Sequence, residues 1–140
     1  MKNVENSMKN LLRLEELAQL LLCVVALIFY DVPWWVYPLL FLGPDIGMLG
    51  YLVNPRIGAV SYNLLHHKGI AAMILLFALV QANLLYLPLP AALDHFTWLT
   101  AGLILFGHSS MDRAVGYGLK FGDNFHHTHL GWIGAKRRGE

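Results

Sequence analysis

Apolar residues in this chain run in long unbroken stretches, and most of its polar residues gather at the ends of those stretches. Four stretches read as membrane-crossing helices, over residues 11–30, 34–53, 59–89 and 95–119, followed by a glycine-rich tail over 120–140. A crossing helix needs ~20 apolar residues. The runs are continuous rather than alternating, so they lack the period of a half-buried strand, and an open sheet edge has no place in lipid. The pattern predicts an all-α fold: a single-domain integral membrane four-helix bundle, with the tail lying along the interface and no strands. Short connections near Pro33 and Pro88-Leu89-Pro90 predict antiparallel neighbours.

Charge gives the bundle an orientation. All ten Lys and Arg residues, and six of the seven His, fall at or near ends that would share one face. The other two loops carry Asp31 and Asp94 but no Lys or Arg. The positive-inside rule then puts both termini and the middle loop in the cytoplasm. Tyr30, Trp34, Trp35, Tyr37, Tyr86, Phe96 and Trp98 would form an outer aromatic belt. Lys2, Lys9 and Arg13 ahead of an apolar run resemble a signal peptide. However, Glu15 and Glu16 interrupt the approach and no small-x-small cleavage pattern follows, so the first span reads as uncleaved.

Composition agrees with a lipid-facing chain. The 140 residues are 56% hydrophobic and 14% charged, against ~25% charged in a typical soluble domain. The net charge of +1 offers nucleic acid no general attraction, and the single cysteine, Cys23, excludes an internal disulfide.

Chemistry enters through the polar residues inside the apolar runs. Asp45 lies eight residues before Val53, or ~12 Å at 1.5 Å per residue. His108 lies nine residues before Tyr117, or ~13 Å, so the two reach one level. Asp112 shares a helix face with His108 at i+4, and Asn63, His66 and His67 share a face at the start of the third span. Ionisable groups in apolar helices are costly and usually face a partner or a water cavity. Imidazole with carboxylate suits a divalent metal such as zinc, iron or manganese. His108 with Asp112 also suits a proton relay, and the plain structural alternative is that Asp45 neutralises Arg113. Pro44 removes one helix hydrogen bond and frees a carbonyl beside Asp45. Gly43, Gly47 and Gly50 stand at the small-residue spacing that lets another helix approach. A weak repeat relates Asp45, Asn63 and His66 to Asp112, Asn124 and His126, and would suggest two half-sites and a two-metal centre.

Several segments together resemble a known bacterial family. They are Gly43-Pro44-Asp45, Tyr62-Asn63-Leu64-Leu65-His66, Gly107-His108 through Asp112-Arg113 to Gly116-Tyr117-Gly118-Leu119-Lys120, and Phe125 through Thr128-His129-Leu130-Gly131. The family is that of domain of unknown function 4260, comprising small multi-span membrane proteins. The resemblance implies residence in the bacterial inner membrane and marks Asp45, Asn63, His66, His108, Asp112, Arg113 and His129 as motif positions. A looser likeness is to inner-membrane proteins described as metal-dependent hydrolases. The histidine boxes of membrane desaturases are matched only incompletely.

The leading expectation is a metal-dependent hydrolase in the lipid bilayer, acting on a lipid or lipid-linked substrate at the cytoplasmic face. Asp45, His66, His108, Asp112 and His129 would hold the metal, and Asp112, Arg113 and Asn63 would serve the reaction. The competing readings are a small proton-linked transporter formed as a homo-oligomer and a noncatalytic membrane assembly protein.

Overall fold

The computed structural model describes residues 2–84 and 94–134, with side chains omitted for residues 2, 3, 83 and 84. The turn at Pro88-Leu89-Pro90, the end of the third apolar stretch, Tyr86 of the aromatic belt and Lys136, Arg137 and Arg138 lie outside the described residues.

The chain is mostly helical, as the apolar runs predict. Helix α1 spans Lys2–Phe29 and α2 spans Val36–Leu42. A 3₁₀ helix follows over Pro44–Leu52, then α3 over Pro55–His66, α4 over Lys68–Leu84 and α5 over His95–Val115. Side chains and glycines set the boundaries. Asn54 accepts the Ile57 amide at 2.9 Å, with Pro55 in the first turn of α3. Asp94 accepts the Thr97 amide at 2.8 Å at the start of α5. Gly116, at φ 97°, ends α5: its amide and that of Tyr117 return to the carbonyls of Arg113 and Asp112 at 3.1 and 2.7 Å. That pair of bonds is a Schellman motif.

Two expected spans are interrupted. Residues 34–53 do not form one helix, because Pro44 has no amide to continue α2 and the chain tightens into the 3₁₀ helix. The third stretch begins at Pro55 and breaks at His67, whose extended backbone (ψ 109°) separates α3 from α4. Among the described residues no single helix is long and apolar enough to cross a membrane. The pair Pro55–His66 and Lys68–Ala82, bent by 41°, meets that measure only together.

The tail also departs from expectation, because it contains strands. His127–Thr128 (β1) pairs antiparallel with Gly131–Trp132 (β2), and Lys120 bridges to Thr128. Gly131 turns the hairpin at φ 115°, and Thr128 Oγ1 donates to its carbonyl at 2.8 Å.

Helix α5 is central, packing against both α1 and α4, while α3 packs along the 3₁₀ helix. The core joins Cys23 and Leu27 of α1 with Val32, Val36 and Leu40 and with Leu103 of α5. A Cβ on Gly107 would lie 2.9 Å from Leu40 Cδ1 and 3.1 Å from Cys23 Cβ, so this glycine lets α5 close on α1 and α2 beside His108. Gly47 does the same for the 3₁₀ helix, where a Cβ would lie 2.7 Å from the Ser61 carbonyl oxygen. Gly43 faces its own helix at Leu39 instead.

Candidate metal centre

The break at Pro44 creates the first element of the site. The residue four before it, Leu40, keeps a carbonyl that no helix amide can reach. That carbonyl accepts His108 Nδ1–H at 2.9 Å. On α3, His66 Nδ1–H goes to the Tyr62 carbonyl at 2.8 Å. A carbonyl oxygen only accepts, so each ring carries a proton on Nδ1 and turns its Nε2 toward the other ring. The two Nε2 atoms face each other at 3.0 Å.

Two carboxylates complete the convergence. Asp45 Oδ1 lies 3.5 Å from Nε2 of both histidines. Asp112 Oδ2 lies 3.4 Å from His66 Nε2, and its Oδ1 lies 3.8 Å from His108 Nε2. One donor atom from each of Asp45, His66, His108 and Asp112 falls within a 4.8 Å set. Both histidines are buried, Asp112 is largely covered, and the Asp45 side chain is 36% exposed, so the group opens on its side. The buried Oδ1 of Asp45 has no hydrogen-bond donor.

These residues fit a divalent metal. Ligands ~2.1 Å from one ion stand roughly 3.4 Å apart at tetrahedral corners, and the contacts involving histidine run from 3.0 to 3.8 Å. Two imidazoles and two carboxylates form a donor set that zinc, iron or manganese accepts. A buried Asp/His cluster that could hold a metal ion is therefore present; its chemistry does not select the metal.

Surrounding groups hold the donors in place. Tyr62 donates its hydroxyl to Asp112 Oδ2 at 2.5 Å, and its ring stacks on His66 with centroids 3.7 Å apart. Asn63 pairs its amide with both backbone groups of Lys120, at 2.9 and 2.7 Å, which ties the tail to α3. Lys120 is buried, with Nζ donating to the Phe125 carbonyl at 2.9 Å and lying 4.0 Å from the Phe125 ring centre. Burial lowers its ammonium below the usual lysine range, while Asp112 and Asp45 pull it up.

The sequence candidates separate into those that converge and those that do not. Asp45, His66, His108 and Asp112 meet. His129 does not join them: its Nδ1 accepts the Leu119 amide at 2.8 Å and helps fasten the tail. Asn63 serves the tail attachment. Among the described residues, Asp45 makes its charged contacts with the histidines and not with Arg113. The suggested second half-site does not form, because Asn124 and His126 are exposed in the tail while both aspartates serve one cluster. Sequence reasoning gave Tyr62 no role; its position four residues before His66 on one helix was the available signal.

Arg113 lies beside a cleft of about 540 Å³ between α1, the end of α5 and the hairpin. Lys9, Arg13, Glu16, His129 and Trp132 also line it. A narrow seam bordered by His66 and Asp112 shares Arg113 and Tyr117 with this cleft.

A family model described as Domain of unknown function (DUF4260) matches residues 9–133, nearly the whole chain and all of the cluster. Neither curated proteins nor solved structures give a match.

Proposed function

The chain belongs to that family, whose description names no reaction, and from the geometry of the cluster we propose a metal-dependent hydrolase working within or against a lipid bilayer. One observation carries the proposal: two buried imidazoles both give Nδ1–H to carbonyls and turn their Nε2 atoms toward each other and toward two carboxylates. A cation placed among the four groups would pair with both carboxylates and both ring nitrogens at once.

A divalent metal held by Asp45, His66, His108 and Asp112 would supply Lewis acidity and activate water near neutral pH. The chain's own residues set the geometry. The Leu40 and Tyr62 carbonyls fix the ring tautomers, and the Tyr62 hydroxyl fixes one oxygen of Asp112. Asp45, on the exposed side, marks where a substrate would approach.

The bilayer part of the proposal is supported by the outer surface of α1. Leu14, Leu17, Leu21, Leu22, Val25, Ile28 and Phe29 are 44–81% exposed. An apolar face of that extent marks a lipid or protein contact. Lipid is favoured because the basic residues keep to one side along the sequence.

The deciding experiment is elemental analysis of protein purified from the membrane fraction, beside the His108→Ala variant. Stoichiometric metal in the parent and its loss in the variant are expected. Absence of metal from both would sink the reading, and recovery of the parent protein from the soluble fraction would remove its bilayer part.

A further inference from the structure

The cleft beside Arg113 contains cationic groups that the metal centre does not use. Lys9 pairs with Glu5 at 2.6 Å, and Glu16 contacts Lys68. Arg13 and Arg113 have no hydrogen-bond or ion-pair partner among the described residues. Arg13 Nη2 lies 3.8 Å from where a Cβ on Gly116 would sit, so this guanidinium folds across the end of α5, where Arg113 is also placed. The last-turn carbonyls of Asp112 and Arg113 already accept the amides of Tyr117 and Gly116. Among the described residues, the one carboxylate lining the cleft, Glu16, is engaged by Lys68.

Besides Tyr117 and His129, the rest of the lining is apolar. Leu12, Leu130 and Trp132 are 51–54% exposed and stand around the two guanidinium groups. Planar guanidinium groups recognise phosphate oxygens through paired hydrogen bonds. Cations beside an exposed indole and leucines suit a molecule with an anionic head and an apolar tail.

We propose that this cleft binds the phosphate of an apolar-tailed molecule, gripped by Arg13 and Arg113, with the tail against Leu12, Leu130 and Trp132. Binding stands on the cleft alone. Its meaning as a substrate subsite rests on the metal-centre reading, because Arg113 directly follows Asp112 and borders the seam to His66.

The test is calorimetric titration of the full chain in dodecyl maltoside with dihexanoyl phosphatidic acid, inorganic phosphate and dihexanoylglycerol. Saturable binding of the phosphatidic acid is expected, with inorganic phosphate much weaker and the uncharged glyceride silent. Arg13→Gln and Arg113→Gln should each weaken binding at least about tenfold, the scale of a lost hydrogen bond to a charged group. Arg113→Lys keeps the charge and should fall between. Circular dichroism and metal content unchanged in all three variants would show that fold and centre survive.

No saturable binding, or binding that both glutamine variants retain, overturns the proposal. Equal affinity for inorganic phosphate overturns the assignment of an apolar-tailed ligand. Repeating the titration on His108→Ala separates the two readings: intact binding there supports the cleft even if the metal centre fails, and a metal-loaded parent that ignores phosphatidic acid fails the cleft alone.

Discussion

His66 Nε2 and His108 Nε2 stand 3.0 Å apart, and two neutral rings have no proton to share there while each Nδ1 donates to a carbonyl. Something positive between them resolves the contact. A metal ion does so with four ligands; an extra proton, making one ring an imidazolium beside Asp45 and Asp112, does so without one. The first alternative predicts one metal per chain, lost in His66→Ala and kept in His129→Ala, because His129 is occupied by the Leu119 amide. Mass-spectrometric metal quantification against protein concentration checks this. A metal-free protein whose ring nitrogens titrate as a shared-proton pair in ¹⁵N NMR spectra would favour the second.

Tyr62→Phe removes the hydroxyl that holds Asp112 Oδ2 at 2.5 Å and leaves the ring stacked on His66. Groups that orient metal ligands commonly contribute 10–100-fold in affinity. Metal affinity should therefore fall by ~10–100-fold with little change in unfolding temperature. Competition with a chromophoric chelator reads the affinity. An unchanged value would mean that Asp112 needs no such support.

Pro44→Ala should weaken metal binding without touching a ligand. Alanine restores an amide at position 44, which can bond the Leu40 carbonyl and compete with His108 for it. His108 then loses the partner that fixes its tautomer, and α2 gains helix. The expected outcome is a rise in helical circular dichroism together with a loss of metal affinity on the order of tenfold, the low end for an outer ligand contact. Higher helicity with unchanged affinity would show that the freed carbonyl is incidental.

Much of this arrangement could be read from the sequence. Helix rise placed Asp45 and His108 at one level, and they meet at 3.5 Å. The i+4 spacing put Asp112 beside His108, where one oxygen lies at 3.8 Å. Pro44 was expected to free a carbonyl near Asp45, and Leu40 supplies it. Other features were hidden because they depend on tertiary contact. Periodicity cannot show that residues 34–53 split into α2 and a 3₁₀ helix, since both halves are mostly apolar. The short strands of the tail arise from a local turn at Gly131 and the anchoring of Lys120 by Asn63, the latter a contact far apart in sequence. His129 matched the motif as well as His66 did, and only its backbone partner separates the two.

Gly47→Ala tests the packing that carries α3 to the site. Its Cβ would meet the Ser61 carbonyl oxygen at 2.7 Å and Tyr62 Cα at 3.0 Å, both backbone atoms. No side-chain rotation relieves such a contact, so α3 must move away from the 3₁₀ helix and carry Tyr62 and His66 with it. Overpacking of this kind costs about 1–3 kcal/mol. A lowered unfolding temperature together with reduced metal affinity is expected; loss of stability alone would uncouple this packing from the centre.

The hairpin should loosen in acid through Asp123. His127 Nδ1 donates to Asp123 Oδ2 at 2.7 Å, and this bond holds the Asp123 carboxyl below its usual range. A carboxylate whose folded value is depressed adds stability above its unfolded value of ~3.9. That stability is lost as pH falls through the folded value. The bond therefore supports the hairpin at neutral pH and weakens in strong acid. Because Asp123 is exposed, the effect should be local and should shrink with added salt. Amide exchange at Phe121, whose amide bonds the His127 carbonyl at 2.9 Å, reports it directly. After correction for intrinsic rates, protection there should decline below about pH 4 in the parent. In Asp123→Asn, protection should already be lower at neutral pH and should vary less with acid. Identical profiles in the two proteins would show that the pair contributes nothing to holding the tail.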